Sequence, residues 1–189
     1  PSNPGNGGGG GGGGSDQTTP SGVARIGAVG LAVTGAGVGV AVVDTGLDFA
    51  HADLNVAAEC FTAYSSCQDD QGHGTHVGGI IGALDNTIDV VGVAPSVTLY
   101  SVKVLNQNGS GYDSDIMAGL DWIGVNAAAV NPPIHVANLS LGRSGSLNDN
   151  PALRASFQAL HFAGISVVVA AGNDSGSEVS QRFPPPIPR

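Results

Sequence analysis

Apolar residues fall along this chain in two alternating kinds of run. GVGVAVVDTG (37–46), VTLYSVKVL (97–105), IHVANLSLG (134–142) and ISVVVAAGN (165–173) are short and rich in β-branched residues, and each reads as a strand. The first is apolar without a break, as a strand buried on both faces is. Between the strands the apolar spacing becomes helical. In QGHGTHVGGIIGAL (71–84), Val77, Ile80, Ile81 and Leu84 recur at i, i+3, i+4, i+7. Ser114 is the expected N-cap of a helix carrying Ile116, Met117, Leu120 and Ile123, which Pro132 and Pro133 end. Asn150-Pro151 supplies an N-cap followed by proline at the first helical position, with Leu153, Phe157 and Leu160 on one face until Gly164. Strands alternating with helices of this length predict an α/β fold with right-handed crossovers and a parallel sheet covered on both faces.

Composition narrows the picture. The chain has 189 residues, enough for one domain with a real core, and 41% of them are apolar against 11% charged. The formal net charge of −9, with six scattered basic residues, argues against a nucleic-acid partner. No apolar run approaches the roughly 20 residues of a membrane span. The start, PSNPGNGGGGGGGGSDQ, has no apolar core of a signal peptide. Residues 1–15 have the composition of a flexible linker, read either as a tether to an upstream segment or as plain low complexity. Cys60 and Cys67 share one short loop and read either as a small disulfide of a secreted protein or as two free thiols. No other Cys, His or carboxylate lies nearby at zinc spacing. GAGVGV (35–40) faintly resembles a dinucleotide fingerprint, but its glycines precede a strand instead of following one.

The chemistry collects where strands end. Asp44, the Asn138–Ser140 stretch and Asn173 each stop an apolar run. In open parallel sheets, ligands bind outside the carboxyl ends of the strands, so these residues are candidates for one shared site. Asp44 ends a strand and His73 opens the following helix. An acid that orients a histidine is the recurring logic of nucleophilic catalysis: one ring nitrogen is held by the carboxylate, and the other takes the nucleophile's proton. Gly72 and Gly74 would let the backbone pass close to a substrate, while Gly78 and Gly79 would let the helix pack tightly under the sheet. Asn173 offers an amide donor for a developing oxyanion. Taken singly, Asp44 and Asn173 also suit plain turn or cap positions. His76 lacks the spacing and the glutamate of a zinc HExxH pair and reads as a packed or hydrogen-bonded helix residue. His51, His135 and His161 belong to no constellation.

VAVVDTGLDFAHADL (40–54), GHGTHVGGIIGAL (72–84), ANLSLG (137–142) and VVVAAGN (167–173) resemble, in order, the successive signatures of the subtilisin family of serine proteases. The resemblance spans about residues 16–175 and implies a three-layer α/β fold with a mostly parallel central sheet, incomplete at its C-terminal end. It implies Asp44 as the acid, His73 as the general base and Asn173 as the side-chain donor of the oxyanion hole. Ser140, Leu141 and Gly142 would pair with the substrate backbone, opposed by Gly109, Ser110 and Gly111, so that a peptide adds as a strand between them. Arg143 departs from the small residue expected there and puts the subsite preference in question. LDNTIDV (84–90) aligns with a calcium loop. Leu84, Ile88 and Val90 would offer carbonyls, Asn86 and Gln17 amide oxygens, and Asp53 a carboxylate, an all-oxygen set that suits Ca²⁺. The opposing reading is a solvated acidic loop containing Asp85 and Asp89.

The chain holds no GTSMA-like run, so the resemblance places the nucleophilic serine outside it. Ser175 and Ser177 read as loop residues. Residues 16–189 are then expected to be the front part of a catalytic domain whose full form cuts proteins outside the cell, preceded in many members by an inhibitory propeptide. The rival readings are a non-catalytic module that grips extended peptides, and a metal-dependent hydrolase using His73 and His76.

Overall fold

The structure is a computed structural model and describes residues 17–145, 149–173 and 182–183. Strand β1 (Gly39–Asp44) has all six residues buried, as its unbroken apolar run predicts, and lies at the centre of a five-stranded sheet. Its neighbours are β3 (Thr98–Lys103) and β4 (Ile134–Leu139), with β2 (Phe61–Thr62) and β6 (Ser166–Val169) at the edges; every pairing is parallel. Two further short segments, β5 (Arg143–Ser144) and β7 (Arg182–Phe183), pair antiparallel apart from this sheet. The helices are α1 (Ser21–Arg25), α2 (His73–Gly82), α3 (Asp113–Asn126) and α4 (Pro151–Phe162). Among the described residues no helix is long and apolar enough to cross a membrane.

Strand alternation sorts the core into two halves. Val40, Val42 and Leu99 face one way and pack with Leu47, Val77 and Ala83 on the side of α2. Ala41, Val43, Tyr100 and Val102 face the other way and pack with Ile116, Leu120 and Ile123 of α3 and Leu153, Phe157 and Leu160 of α4. The molecule is therefore three-layered, with a parallel sheet between α2 and the α3–α4 pair. The same parity sends the side chains of Asp44 and Lys103, partners in the β1–β3 register, toward α2.

Several expected details change. Helix α2 ends at Gly82, before Leu84, and its buried face is Gly74, Val77, Gly78 and Gly82, while Ile80 is exposed. The hydrophobic spacing misses this face because glycines make most of it. A Cβ on Gly78 would sit 3.0 Å from Leu47 Cδ2, and one on Gly82 2.6 Å from Val97 Cγ2, whereas one on Gly79 would meet nothing within 4 Å. Gly79 therefore does not serve the packing assigned to it. Helix α3 begins two residues earlier than expected: Tyr112 is its N-cap and Ser114 lies inside the helix. Asn150 does cap α4, accepting from Leu153 N at 3.1 Å. Strand β6 is shorter than its sequence run and has every second residue exposed, as befits an edge strand. His76 is exposed on α2, not packed. The linker assigned to residues 1–15 and the loop residues Ser175 and Ser177 lie outside the described residues.

Candidate active site

Asp44 closes β1 with its side chain fully buried, and Oδ1 lies 2.8 Å from His73 Nδ1 and accepts from Thr45 N at 2.7 Å. Oδ2 is buried without a hydrogen-bond partner among the described residues. A carboxylate against Nδ1 fixes the proton there and leaves Nε2 as the basic nitrogen. The histidine itself is about half exposed, at 45%. It is thus an imidazole held from behind by a buried carboxylate and open in front.

The approach of the two residues depends on Gly74. A Cβ at this position would lie 2.1 Å from Gly46 O and 3.2 Å from Asp44 Cβ, so the first turn of α2 passes against the β1 turn as only glycine permits. Its role is to bring the helix to Asp44, not to clear a substrate. Gly72, the N-cap of α2, has φ 101°, the left-handed region that glycine adopts without strain.

Asp69 anchors the same helix start. Its Oδ1 accepts from Gln71 N, Gly72 N and Thr45 Oγ1, and its Oδ2 accepts from Thr75 N at 2.9 Å and Thr75 Oγ1 at 2.6 Å. Burial pushes this carboxyl upward, but the hydrogen bonds from Gly72, from the Thr75 side chain and backbone and from Gln71 outweigh it and hold it at about 2. Lys103, buried at the end of β3, donates to Asp70 Oδ1 at 2.6 Å, to Leu105 O at 3.1 Å and to Thr45 O. It ties together the ends of β1 and β3 and the loop that leads to His73. The Cys60–Cys67 disulfide closes the same loop, and Cys67 O accepts from Ser101 Oγ at 2.9 Å.

His73 opens on a cleft of about 500 Å³. Gly109, Ser110 and Gly111 line it on one side, and Ser140, Leu141 and Gly142 line it on the other. All six residues expected to hold a substrate backbone therefore share one cleft with His73. Arg143 and Asp113 bridge its two sides, Nη2 to Oδ2 at 2.7 Å and Nε to Oδ1 at 3.2 Å. Asp149 takes a second arm of the guanidinium. The hydrogen bond from Arg143 holds the Asp113 carboxyl below its ordinary range against the upward push of burial. Asn173 follows β6. Leu139 pairs with Val169, and Asn138 pairs with Val42, so Ala170 stands in the row of Asp44 and Asn173 lies three residues beyond that row, on the same sheet edge.

A second constellation lies away from the cleft. Gln17 Nε2 sits among Leu84 O (2.6 Å), Val90 O (3.0 Å), Ile88 O (3.1 Å) and Asn86 Oδ1 (3.3 Å). An amide NH₂ has two hydrogens, so four oxygens at one point outnumber them. The Gln17 Oε1 accepts from Asn86 N, and Asn86 Nδ2 reaches Asp53 Oδ1 at 2.8 Å. Four of the six expected oxygen donors thus converge on the amide nitrogen of a fifth expected residue, Gln17, with Asp53 one hydrogen bond behind Asn86. The set is chemically that of a hard cation.

The structure brings together Asp44, His73 and the two expected cleft walls, and beside them stand Asp69, Lys103 and Asp113, which the sequence did not single out. One signal was available: Lys103 is the only lysine in the chain and stands in an apolar strand.

Known proteins resemble this chain over most of its length. The subtilase family matches residues 35–185. Subtilisin Savinase of Lederbergia lenta is 44% identical over 169 residues, covering 87% of this chain and 59% of that protein. M-protease of Shouchella clausii (strain KSM-K16) is 44% identical over 169 residues, 87% of this chain and 42% of its own length. Subtilisin E of Bacillus subtilis (strain 168) is 41% identical over 180 residues, 91% and 45% respectively. The chain therefore spans about half the length of the curated relatives it matches.

Proposed function

The chain belongs to the subtilase family, and from that premise we propose that the whole protein is a serine endopeptidase acting on proteins or peptides. Residues 16–189 are read as the front part of its catalytic domain, truncated before the catalytic serine. They supply an acid, Asp44, a base, His73, and an oxyanion donor, Asn173, to a serine that no GTSMA-like run in this sequence provides.

In this reading His73 Nε2 takes the proton from the serine hydroxyl as its oxygen attacks the scissile carbonyl. The imidazolium so formed lies against the Asp44 carboxylate, which stabilises its charge where water cannot reach. Asn173 donates to the oxygen that gains the negative charge. His73 then returns the proton to the departing amine, leaving an acyl-enzyme for water to hydrolyse. The peptide lies as an added strand between Gly109–Gly111 and Ser140–Gly142, held mainly by backbone bonds and so with loose sequence preference.

Gln17, Leu84, Asn86, Ile88 and Val90, backed by Asp53, would hold a structural Ca²⁺, whose contribution is to fasten the segment at Gln17 to the 84–90 loop. The Cys60–Cys67 bridge favours an oxidising, extracellular setting. An upstream inhibitory propeptide occupying the same cleft would suit this arrangement.

The observation that carries the proposal is the 2.8 Å contact of a buried Asp44 with His73, which lines one cleft together with Gly109–Gly111 and Ser140–Gly142. The full-length protein should hydrolyse an unfolded protein substrate, and His73→Ala should lower kcat by about 10⁶, a figure known from subtilisin itself and carried across. Peptide binding by the full-length protein without any cleavage would favour the non-catalytic module instead.

A further inference from the structure

We propose that the Arg143–Asp113 ion pair is a specificity bar, closing the apolar part of the cleft to large apolar side chains of the substrate. This rests on the peptide-cleft reading above and concerns what that cleft admits. Arg143 stands directly after the Ser140–Gly142 wall, and Asp113 stands two residues after the Gly109–Gly111 wall. A fork of two hydrogen bonds, 2.7 and 3.2 Å, therefore joins one side of the cleft to the other. Ile116, Leu141 and Leu153 line the same cleft, and Ile116 and Leu153 are buried. The apolar surface that would receive a Leu or Phe side chain thus shares its space with a charged bridge.

A single exposed ion pair would yield readily, because such pairs contribute little. This one is held on more than one side. Asp149 takes another arm of the guanidinium, and Asn150 Nδ2 donates to Asp113 Oδ2 at 2.9 Å. Asn150 also caps α4, so the bridge is fastened to the starts of both α3 and α4. A bulky apolar side chain would have to displace this network and leave charges beside its own hydrocarbon, whereas a small one leaves it in place.

The test is cleavage by the full-length protein of peptides identical except for Ala, Leu or Phe at each position on the amino side of the scissile bond. Wild-type protein should disfavour Phe at one position. Arg143→Gly should raise kcat/KM for that Phe peptide by at least about tenfold while the Ala peptide stays within about twofold, the scale on which apolar pockets discriminate. Asp113→Ala, which breaks the bridge from the opposite wall, should give the same gain. Partial unfolding of a variant lowers the active fraction for both peptides alike, so their ratio still reports the folded site of that variant. An unaltered Phe-to-Ala ratio in both variants, with all peptides still cleaved, would overturn the bar and leave the protease reading standing. Absence of cleavage by wild type and variants alike would remove the protease reading and this inference with it.

Discussion

Asp44 is a carboxylate with one oxygen shared between Thr45 N and His73 and the other buried without a partner among the described residues. Such a group has strong reason to favour a positive charge on its neighbour, because burial removes the water that would otherwise solvate it. That is the physical basis for proposing His73 as the proton acceptor. Asn173 is the proposed donor to the charge that develops on the other side of the reaction. Asn173→Ala should lower kcat of the full-length protein by about 10²–10³ with little change in KM; the magnitude is known from a subtilisin's own asparagine and is carried across. A matching rise in KM with kcat intact would assign the residue to binding. The pairing of Asp44 with His73 was legible because each stands inside a contiguous signature. Asp69 and Lys103 were not, because partners such as Thr45 lie 24 and 58 residues away in sequence and meet them only after folding.

At the level of the element, α2 is poor in propensity and rich in external fastening. Glycines at 74, 78 and 82 weaken it but let it approach β1 and the residues around Leu47 and Val97. Asp69 answers the unsatisfied N–H groups of its first turn and places a negative charge at the positive end of the helix. The Asp69 carboxyl is held at about 2, below its ordinary 3.8. Its stabilisation is therefore present above about pH 4 and lost as the pH falls through 2. Asp69→Asn should destabilise the full-length protein to urea by about 1 kcal/mol at pH 6, a figure reduced for the group's partial exposure. The gap between variant and wild type should narrow between pH 4 and pH 2; a gap constant across that window would mean that the charge has no part in the cap. The helix was visible in the sequence, but its inner face was not, since a hydrophobic pattern cannot register glycine as a packing surface.

Across the whole molecule, the layered order follows from parity: even positions of β1 and odd positions of β3 turn toward α2, and the rest turn toward α3 and α4. That alternation was legible in the strand runs; the exposed face of β6 was not, because its position at the sheet edge depends on the order of all five strands. The Gln17 cage is a property of this scale, linking two segments about 70 residues apart. Thr18 also bridges to this loop, its N–H donating to Asp89 O at 2.9 Å. Chelation should lower the Tm of the full-length protein by roughly 5–10 °C, the shift expected when a ligand present well above its Kd is withdrawn. An unchanged Tm, with no calcium found by elemental analysis, would reduce the cage to a hydrogen-bonded loop.

The most direct measurement is covalent labelling of the full-length protein with a fluorophosphonate, followed by mass-spectrometric mapping of the modified residue. Asp44 and His73 acting on a serine beyond residue 189 predict one labelled serine outside this sequence, and labelling that collapses in His73→Ala. A label that forms equally fast without His73, or that falls on a serine within residues 1–189, would contradict the assignment.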